Sequence, residues 1–177
     1  MRVVGGIFKG RVLEEFKGYE IRPTSDMVRE SLFNILRDRI GGAHFLDLFC
    51  GTGAVGIEAL SRGAKKVVFN DLSRESVALT KKNIEKLKIE NGYTVRQSDA
   101  LIFLENSSEN YDIIFIDAPY KDEVGIKAVE LAKNKLNDGG IIIYENDMPF
   151  TAEIEGLNVY DKRKYGRAHL TFFKSDK

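Results

Sequence analysis

Four carboxylates recur where a run of apolar residues gives way to a turn: Asp47, Asp71, Asp99 and Asp117. Three glycines stand among them, Gly51, Gly53 and Gly56, in G-x-G-x-x-G spacing. Such a loop lets backbone approach a ligand closely, because glycine adopts turns that a Cβ would strain and leaves room beside the chain. The helix start behind it carries N–H groups with no intrahelical acceptor. Asp71 lies 20 residues past Gly51. At that distance a carboxylate can accept hydrogen bonds from both ribose hydroxyls of an adenosine. The pattern therefore predicts a nucleoside-containing cofactor. Asp47, four residues before Gly51, narrows the choice. A carboxylate there repels a pyrophosphate but suits the amino group of a methionine moiety. That disfavours a nicotinamide-dependent oxidoreductase and favours S-adenosylmethionine.

The reacting end is Asp117-Ala118-Pro119-Tyr120. An exocyclic amine on a nucleobase is a poor nucleophile, since its lone pair is delocalised into the ring. The Asp117 carboxylate and the Ala118 carbonyl are two acceptors that can draw its hydrogens and aim the lone pair at a methyl donor. Tyr120 can stack on a base that has left its own stack. Cys50, the one cysteine, excludes an internal disulfide and reads as small buried filler rather than a nucleophile.

These residues need a scaffold, and the order of elements predicts it. His44 to Phe49 reads as a short buried strand; a helix with Val55, Ile57, Ala59 and Leu60 on its apolar face ends at Gly63. Lys66 to Phe69 begins a second strand. Ser73 caps a helix to about Lys88, in which KKNIEKLK reads as a solvated face. Strands follow at Tyr93 to Gln97 and Tyr111 to Asp117, separated by a short helix to about Leu104. A helix from about Glu123 to Leu136 leads to a fifth strand, GIIIYEN. Leu157 to Lys164 and Ala168 to Lys174 form an antiparallel hairpin about Tyr165-Gly166. Before all this, residues 1–24 read as a β-hairpin arm, and Ser25 or Thr24 caps a helix from about Asp26 to Ile40. Alternating strands and helices predict an α/β, Rossmann-like fold with a mostly parallel sheet, as one domain over residues 1–177. Ligands then bind outside the carboxyl ends of the strands, where the four acids are.

Composition is that of an ordinary water-soluble chain, 43% hydrophobic and 31% charged, with a net charge of zero. No apolar run is long enough to span a bilayer and no signal peptide is read, so a cytoplasmic location is expected. No metal is expected. The charge distribution is uneven: Arg2, Lys9 and Arg11 begin the chain with no acid among residues 1–11, and Lys162, Arg163, Lys164 and Arg167 fall within six positions near its end. Basic ends on a neutral body predict a phosphate-binding face.

Four blocks carry a more specific resemblance: GGIFKGR, RPTSDMVRESLFNIL, DLFCGTGAVGIEALSRGA and KYGRAHLTFF. Together they make the chain similar, over nearly its whole length, to the bacterial 16S ribosomal RNA (guanine-N2)-methyltransferases, class I S-adenosylmethionine-dependent enzymes with a seven-stranded sheet. The resemblance implies cofactor contacts at Asp47, Gly51, Gly53, Asp71 and the Asp99-Ala100 pair, the last toward the adenine. Phe49, Thr52, Leu72 and Asp117 join that cofactor group. It implies the target base at Asp117, Pro119 and Tyr120, and an arm carrying Arg22 and Thr24 that closes over the site on the RNA side. The partner implied is 16S rRNA or a small-subunit precursor. Ala118 departs from the family pattern, which has proline there. It gains an N–H and loses the fixed φ, although Pro119 still holds Ala118 extended. Two alternatives remain at this level: an adenine-N6 DNA methyltransferase, for which 177 residues leave no target-recognition segment, and a catalytically weak RNA-binding factor in ribosome assembly, which Ala118 favours.

Overall fold

The computed structural model describes residues 1–18, 24–119 and 122–176. Seven strands form one sheet in the order β3-β2-β1-β4-β5-β7-β6. They are β1 (His44–Asp47), β2 (Lys66–Asp71), β3 (Tyr93–Gln97), β4 (Tyr111–Ile116), β5 (Leu136–Asn146), β6 (Leu157–Tyr165) and β7 (Ala168–Ser175). β1 to β5 run parallel, and β7 enters antiparallel between β5 and β6. The strand order reverses between β1 and β4, so the crevice outside their carboxyl ends is where this topology receives a ligand.

Both faces of the sheet are covered, which explains the nearly continuous apolar strands. On one face, Phe45, Ile113 and Phe115 pack with α1 (Asp26–Ile35), α3 (Ala54–Ser61) and the inner side of α4 (Arg74–Lys86). On the other, Leu46, Ile114 and Ile116 pack with α5 (Ala100–Asn106) and α6 (Asp122–Ala132). Ser25 and Ser73 cap α1 and α4 with their hydroxyls, accepting from Val28 N–H and Ser76 N–H.

Three expectations change. The helix from Asp26 stops at Ile35; after a bend at the buried Leu36 (ψ 0°) one further turn, α2 (Arg37–Ile40), carries the chain to Gly41. The helix α6 ends at Ala132, and a 3₁₀ turn at Lys133–Lys135 leads into a fifth strand that begins earlier than expected. Among its described residues the N-terminal segment has a single antiparallel bridge, Arg2 with Val12, and no strand-length ladder. It is not a free arm. Val3 and Leu13 are buried in the core, Val4 N–H donates to Glu58 (2.9 Å), and Phe8 N–H donates to Ser61 Oγ (3.0 Å). Glu58 is itself fully buried, held by Arg62 Nε (2.8 Å) and by the fully buried Arg29, whose Nη2 also donates to the Arg2 carbonyl (2.9 Å). An uncompensated charge there would be strongly destabilising, so Arg29 and Glu58 fix the segment against α1 and α3 as a pair.

Candidate active site

Asp47 ends β1, and the chain turns through Phe49 to Gly53 into α3. The turn depends on two left-handed residues, Gly51 (φ +52°) and Gly53 (φ +82°). The three glycines serve different needs. A Cβ on Gly53 would meet Thr80 at 2.9 Å, and one on Gly56 would meet the Phe69 ring at 2.2 Å, so both are required by packing. A Cβ on Gly51 would meet only Phe16, at 3.9 Å. Of the two glycines expected to clear space for a ligand, Gly51 alone faces open space.

The loop consumes most of its own donors. Gly51 N–H donates to Asp71 Oδ2 (2.9 Å), Gly53 N–H to the Cys50 carbonyl (2.7 Å), Ala54 N–H to Thr52 Oγ1 (3.3 Å) and Gly56 N–H to Asp47 Oδ2 (2.9 Å). A pyrophosphate would need these N–H groups at the helix start. With carboxylates already on two of them, the cradle suits a cofactor that is cationic and lacks a diphosphate. That is the cofactor fit the residues present support.

Asp47 is buried, and burial pushes its carboxyl up to about 7; the Gly56 N–H opposes the shift and the Asp71 charge adds to it. Asp71, half-buried at the end of β2, accepts from Gly51 N–H on one oxygen and from Ser73 N–H (2.9 Å) on the other. A carboxylate has about four lone-pair positions, so acceptors remain for a ribose. Leu72 beside it is 66% exposed. Asp99 caps α5 by accepting from Leu101 and Ile102 N–H, with Ala100 buried behind it and Phe49 half-buried. Cys50 is buried against Thr80 Oγ1 (3.4 Å), and desolvation raises its thiol far above the reactive range.

Asp117 follows β4 on the strand next to Asp47, and Glu145 stands beside it at the end of β5, where Ile116 pairs with Tyr144. Thr24 is buried, its hydroxyl 3.0 Å from Glu145 Oε2 and 3.4 Å from Asp117 Oδ2. The residue expected on an RNA-facing arm thus touches the Asp117 carboxylate directly. Burial, Glu145 and then Asp47 raise the Asp117 carboxyl well above the usual carboxylate range, and the Thr24 hydroxyl lowers it. Ala118 is half-buried on the second core, and Pro119 is exposed. Arg22 and Tyr120 lie outside the described residues.

The two basic ends do not meet. α3 and α4 run away from the strand carboxyl ends, and Gly63 pairs with Gly42 just before β1. The turn carrying Lys9 binds Ser61 at that far end, and Arg11 donates to the Lys86 carbonyl (3.4 Å). The turn carrying Lys9 is therefore about 12 Å of helix away from the loop, at the far end of α3, whereas Arg11 reaches α4 one turn past Asn83. Arg2 is exposed on the same segment. The β6–β7 turn is placed differently. His169 pairs with Asn146, which brings Lys164 and Arg167, both exposed, to the carboxyl-end face beside Glu145. Lys162 donates to the Phe150 carbonyl (3.0 Å) and Arg163 pairs with Asp161 (3.0 Å).

Sequence reading missed Thr80, Asn83 and Glu145. Asn83 falls in the KKNIEKLK stretch, where the sequence predicts a solvated helix face, and is fully buried. The available signal was its position on the stripe of Val77, Thr80, Ile84 and Leu87, where a polar residue demands a partner. Among the described residues no group of three His, Cys, Asp or Glu side chains can hold a metal, and no helix is long and apolar enough to cross a membrane.

Comparison with known proteins gives the family of the chain. The family described as conserved hypothetical protein 95 matches residues 1–174. The Ribosomal RNA small subunit methyltransferase D of Escherichia coli is 36% identical over 155 residues, 88% of this chain and 76% of that protein. The YlbH protein of Bacillus subtilis is 33% identical over 182 residues, 98% of each chain. The solved structure of the yhhF protein from Escherichia coli superimposes with a TM-score of 0.89 at 30% identity, covering 99% of this chain and 97% of the other. The architecture is the class I methyltransferase fold. Matched from its first residue to residue 174 and related at this level along most of its length, the chain belongs to the conserved hypothetical protein 95 family, which includes the small-subunit ribosomal RNA methyltransferases D.

Proposed function

We propose that the protein transfers a methyl group from S-adenosylmethionine to the exocyclic N2 amine of a guanine in 16S ribosomal RNA. One observation carries the reading: the donor-depleted glycine loop, the Asp117-Ala118-Pro119 turn and the basic β6–β7 turn share the face at the strand carboxyl ends. The names of the relatives support the ribosomal substrate. When bound, the cofactor supplies an electrophilic methyl on a sulfonium sulfur. Asp47 and Asp71 give the loop the negative potential that a cation requires, and Asp71 adds ribose recognition. Asp117 and the Ala118 carbonyl draw on the amine hydrogens, and Thr24 fixes the Asp117 carboxylate. Action on RNA within a bacterial cell places the work in the cytoplasm.

Asp71→Ala removes charge-assisted hydrogen bonds worth about 1.5–3 kcal/mol each, so affinity for S-adenosylmethionine is expected to fall tenfold or more. Calorimetry checks this, and tighter binding of NAD than of S-adenosylmethionine by the wild type would end the cofactor assignment. For RNA, reversing Lys164 with Arg167 is expected to weaken binding strongly and to flatten its salt dependence by roughly 0.7–0.9 per lost phosphate contact. Reversing Lys9 with Arg11, which lie outside the carboxyl-end turn of β6–β7, is expected to do less. Equal losses from the two pairs in a filter-binding salt series would contradict the geometry.

A further inference from the structure

Asn83 is fully buried in a stretch of α4 whose neighbours Lys81, Lys82, Glu85 and Lys86 are exposed. A buried amide is costly unless its donors and acceptor are matched. Here they are matched by two separate pieces of chain. Its Oδ1 accepts Glu14 N–H (2.7 Å), while Nδ2 donates to the Glu14 carbonyl (3.1 Å) and to the Thr52 carbonyl (2.9 Å). One side chain thus ties the N-terminal segment to the glycine loop. One turn earlier Thr80 donates to the Gly51 carbonyl (2.9 Å), so α4 holds the loop at two points. Two residues beyond the tie is Phe16, half-buried, whose Cε2 lies 3.9 Å from a Cβ built on Gly51 and, among the described residues apart from Gly51 and its chain neighbours, is the one atom within 4 Å of it. The space that Gly51 opens is bounded on that side by a ring from the N-terminal segment.

We propose that the segment Glu14–Phe16 completes the cofactor site: Phe16 is a wall against the bound cofactor, and Asn83 is the positioning residue that keeps wall and loop in register. This rests on the reading that the loop binds S-adenosylmethionine. Because the tie is shared, anything that orders the loop also orders the segment, and the reverse holds to the same extent. The salt bridge from Lys86 to Glu14 (2.7 Å) is exposed and adds little to this link.

The test uses the full chain, with S-adenosylmethionine as probe, in the wild type, Phe16→Ala, Asn83→Ala, the double variant and Ser61→Ala. Ser61 anchors the same segment at its far end, accepting from Phe8 N–H and donating to the Gly5 carbonyl (2.6 Å), and it touches no part of the loop. Phe16→Ala and Asn83→Ala are each expected to raise Kd about tenfold, the size of one lost or misplaced contact. The double variant is expected to lose little more than the worse single one, because Asn83 acts in part through the ring. Ser61→Ala is expected to lower the melting temperature while leaving Kd within about twofold of the wild type. Hydrogen exchange adds a readout that mere stabilisation does not move: cofactor slows exchange of the Glu14 amide in the wild type and not in Asn83→Ala. Should Asn83→Ala not fold, Phe16→Ala and wild-type exchange decide. Unchanged Kd in Phe16→Ala with no cofactor protection at Glu14 overturns the inference, as does a Ser61→Ala variant that loses as much affinity as Asn83→Ala. A wild type that does not bind S-adenosylmethionine overturns the cofactor reading and this inference together. Tight wild-type binding with unaltered variants overturns the inference alone.

Discussion

Asp117→Ala is expected to lower the rate of methyl transfer by about 10²–10³ while leaving affinity for S-adenosylmethionine within a few fold. The magnitude is that of removing one preorganised electrostatic partner from a transition state. The amine nitrogen of guanine begins planar and weakly basic. As the methyl arrives it becomes tetrahedral and positively charged, so a carboxylate accepting one of its hydrogens gains strength along the reaction coordinate. Asp117 is already arranged for this, with Thr24 at 3.4 Å and Glu145 on the adjacent strand. Those neighbours also set the pH dependence. Burial and the Glu145 charge raise the Asp117 carboxyl well above its ordinary value, and the ionised form is the stronger acceptor and the one that offsets a developing positive charge. The rate is therefore expected to climb with pH through that raised value, and the slope is expected to vanish in the alanine variant. Single-turnover transfer of labelled methyl, with cofactor affinity measured separately, decides the matter. A variant that turns over within threefold of the wild type would leave Asp117 without the proposed role.

The second large effect lies in stability. The Asp47 carboxyl titrates near 7 in the folded protein against 3.8 ordinarily. Its folded value is raised, so between about pH 4 and pH 7 the native state keeps a proton that the unfolded chain releases. The stabilisation from that proton is complete below the unfolded value and is lost as pH rises through about 7. At about 1.4 kcal/mol per unit, the change across this window is about 4 kcal/mol. Asp47→Asn keeps an oxygen for the Gly56 N–H and has nothing to titrate. It is expected to flatten the fall in stability from pH 5 to pH 8 and to be several kcal/mol more stable than the wild type at pH 8. Affinity for the cationic cofactor moves the other way. It is expected to weaken in the wild type below about pH 7, as Asp47 takes up a proton, and to be low at every pH in Asp47→Asn. Urea melts at several pH values test the first part; parallel curves for the two proteins would refute it. In the proposed function, Asp47 lowers stability above about pH 7 and a cation bound beside it is expected to restore it.

Much of this was legible in the chain. Tyr93–Gln97 was bounded correctly because glycine and serine flank a run of strand formers, and Ser25 and Ser73 announced the helices that they cap. The terminal hairpin was visible from its alternation around Tyr165-Gly166. What was hidden depended on contacts remote in sequence. G-x-G-x-x-G spacing says that three residues lack a side chain, but only the packed Thr80 and Phe69 reveal that two of them make room for protein. Net charge near each end was readable, yet the positions of the ends follow from the direction of α3 and from the antiparallel entry of β7. Thr24 looked like a member of a polar arm because nothing nearby in sequence suggests Asp117 or Glu145, 93 and 121 residues on.

The order of the sheet also fixes a sequence of events during synthesis. β5 carries Ile141, Ile142 and Ile143, all fully buried, and pairs on one side with β4 and on the other with β7. β4 is made before it, and β7 is made after it, once β6 has been made. Between those moments the Ile141–Ile143 stretch waits with an open row of N–H and C=O groups, the template on which chains join edge to edge. The hairpin that brings Lys164 and Arg167 to the strand ends is therefore also the piece that seals the nascent sheet, and a chain interrupted before Ala168 carries its most adhesive strand uncovered.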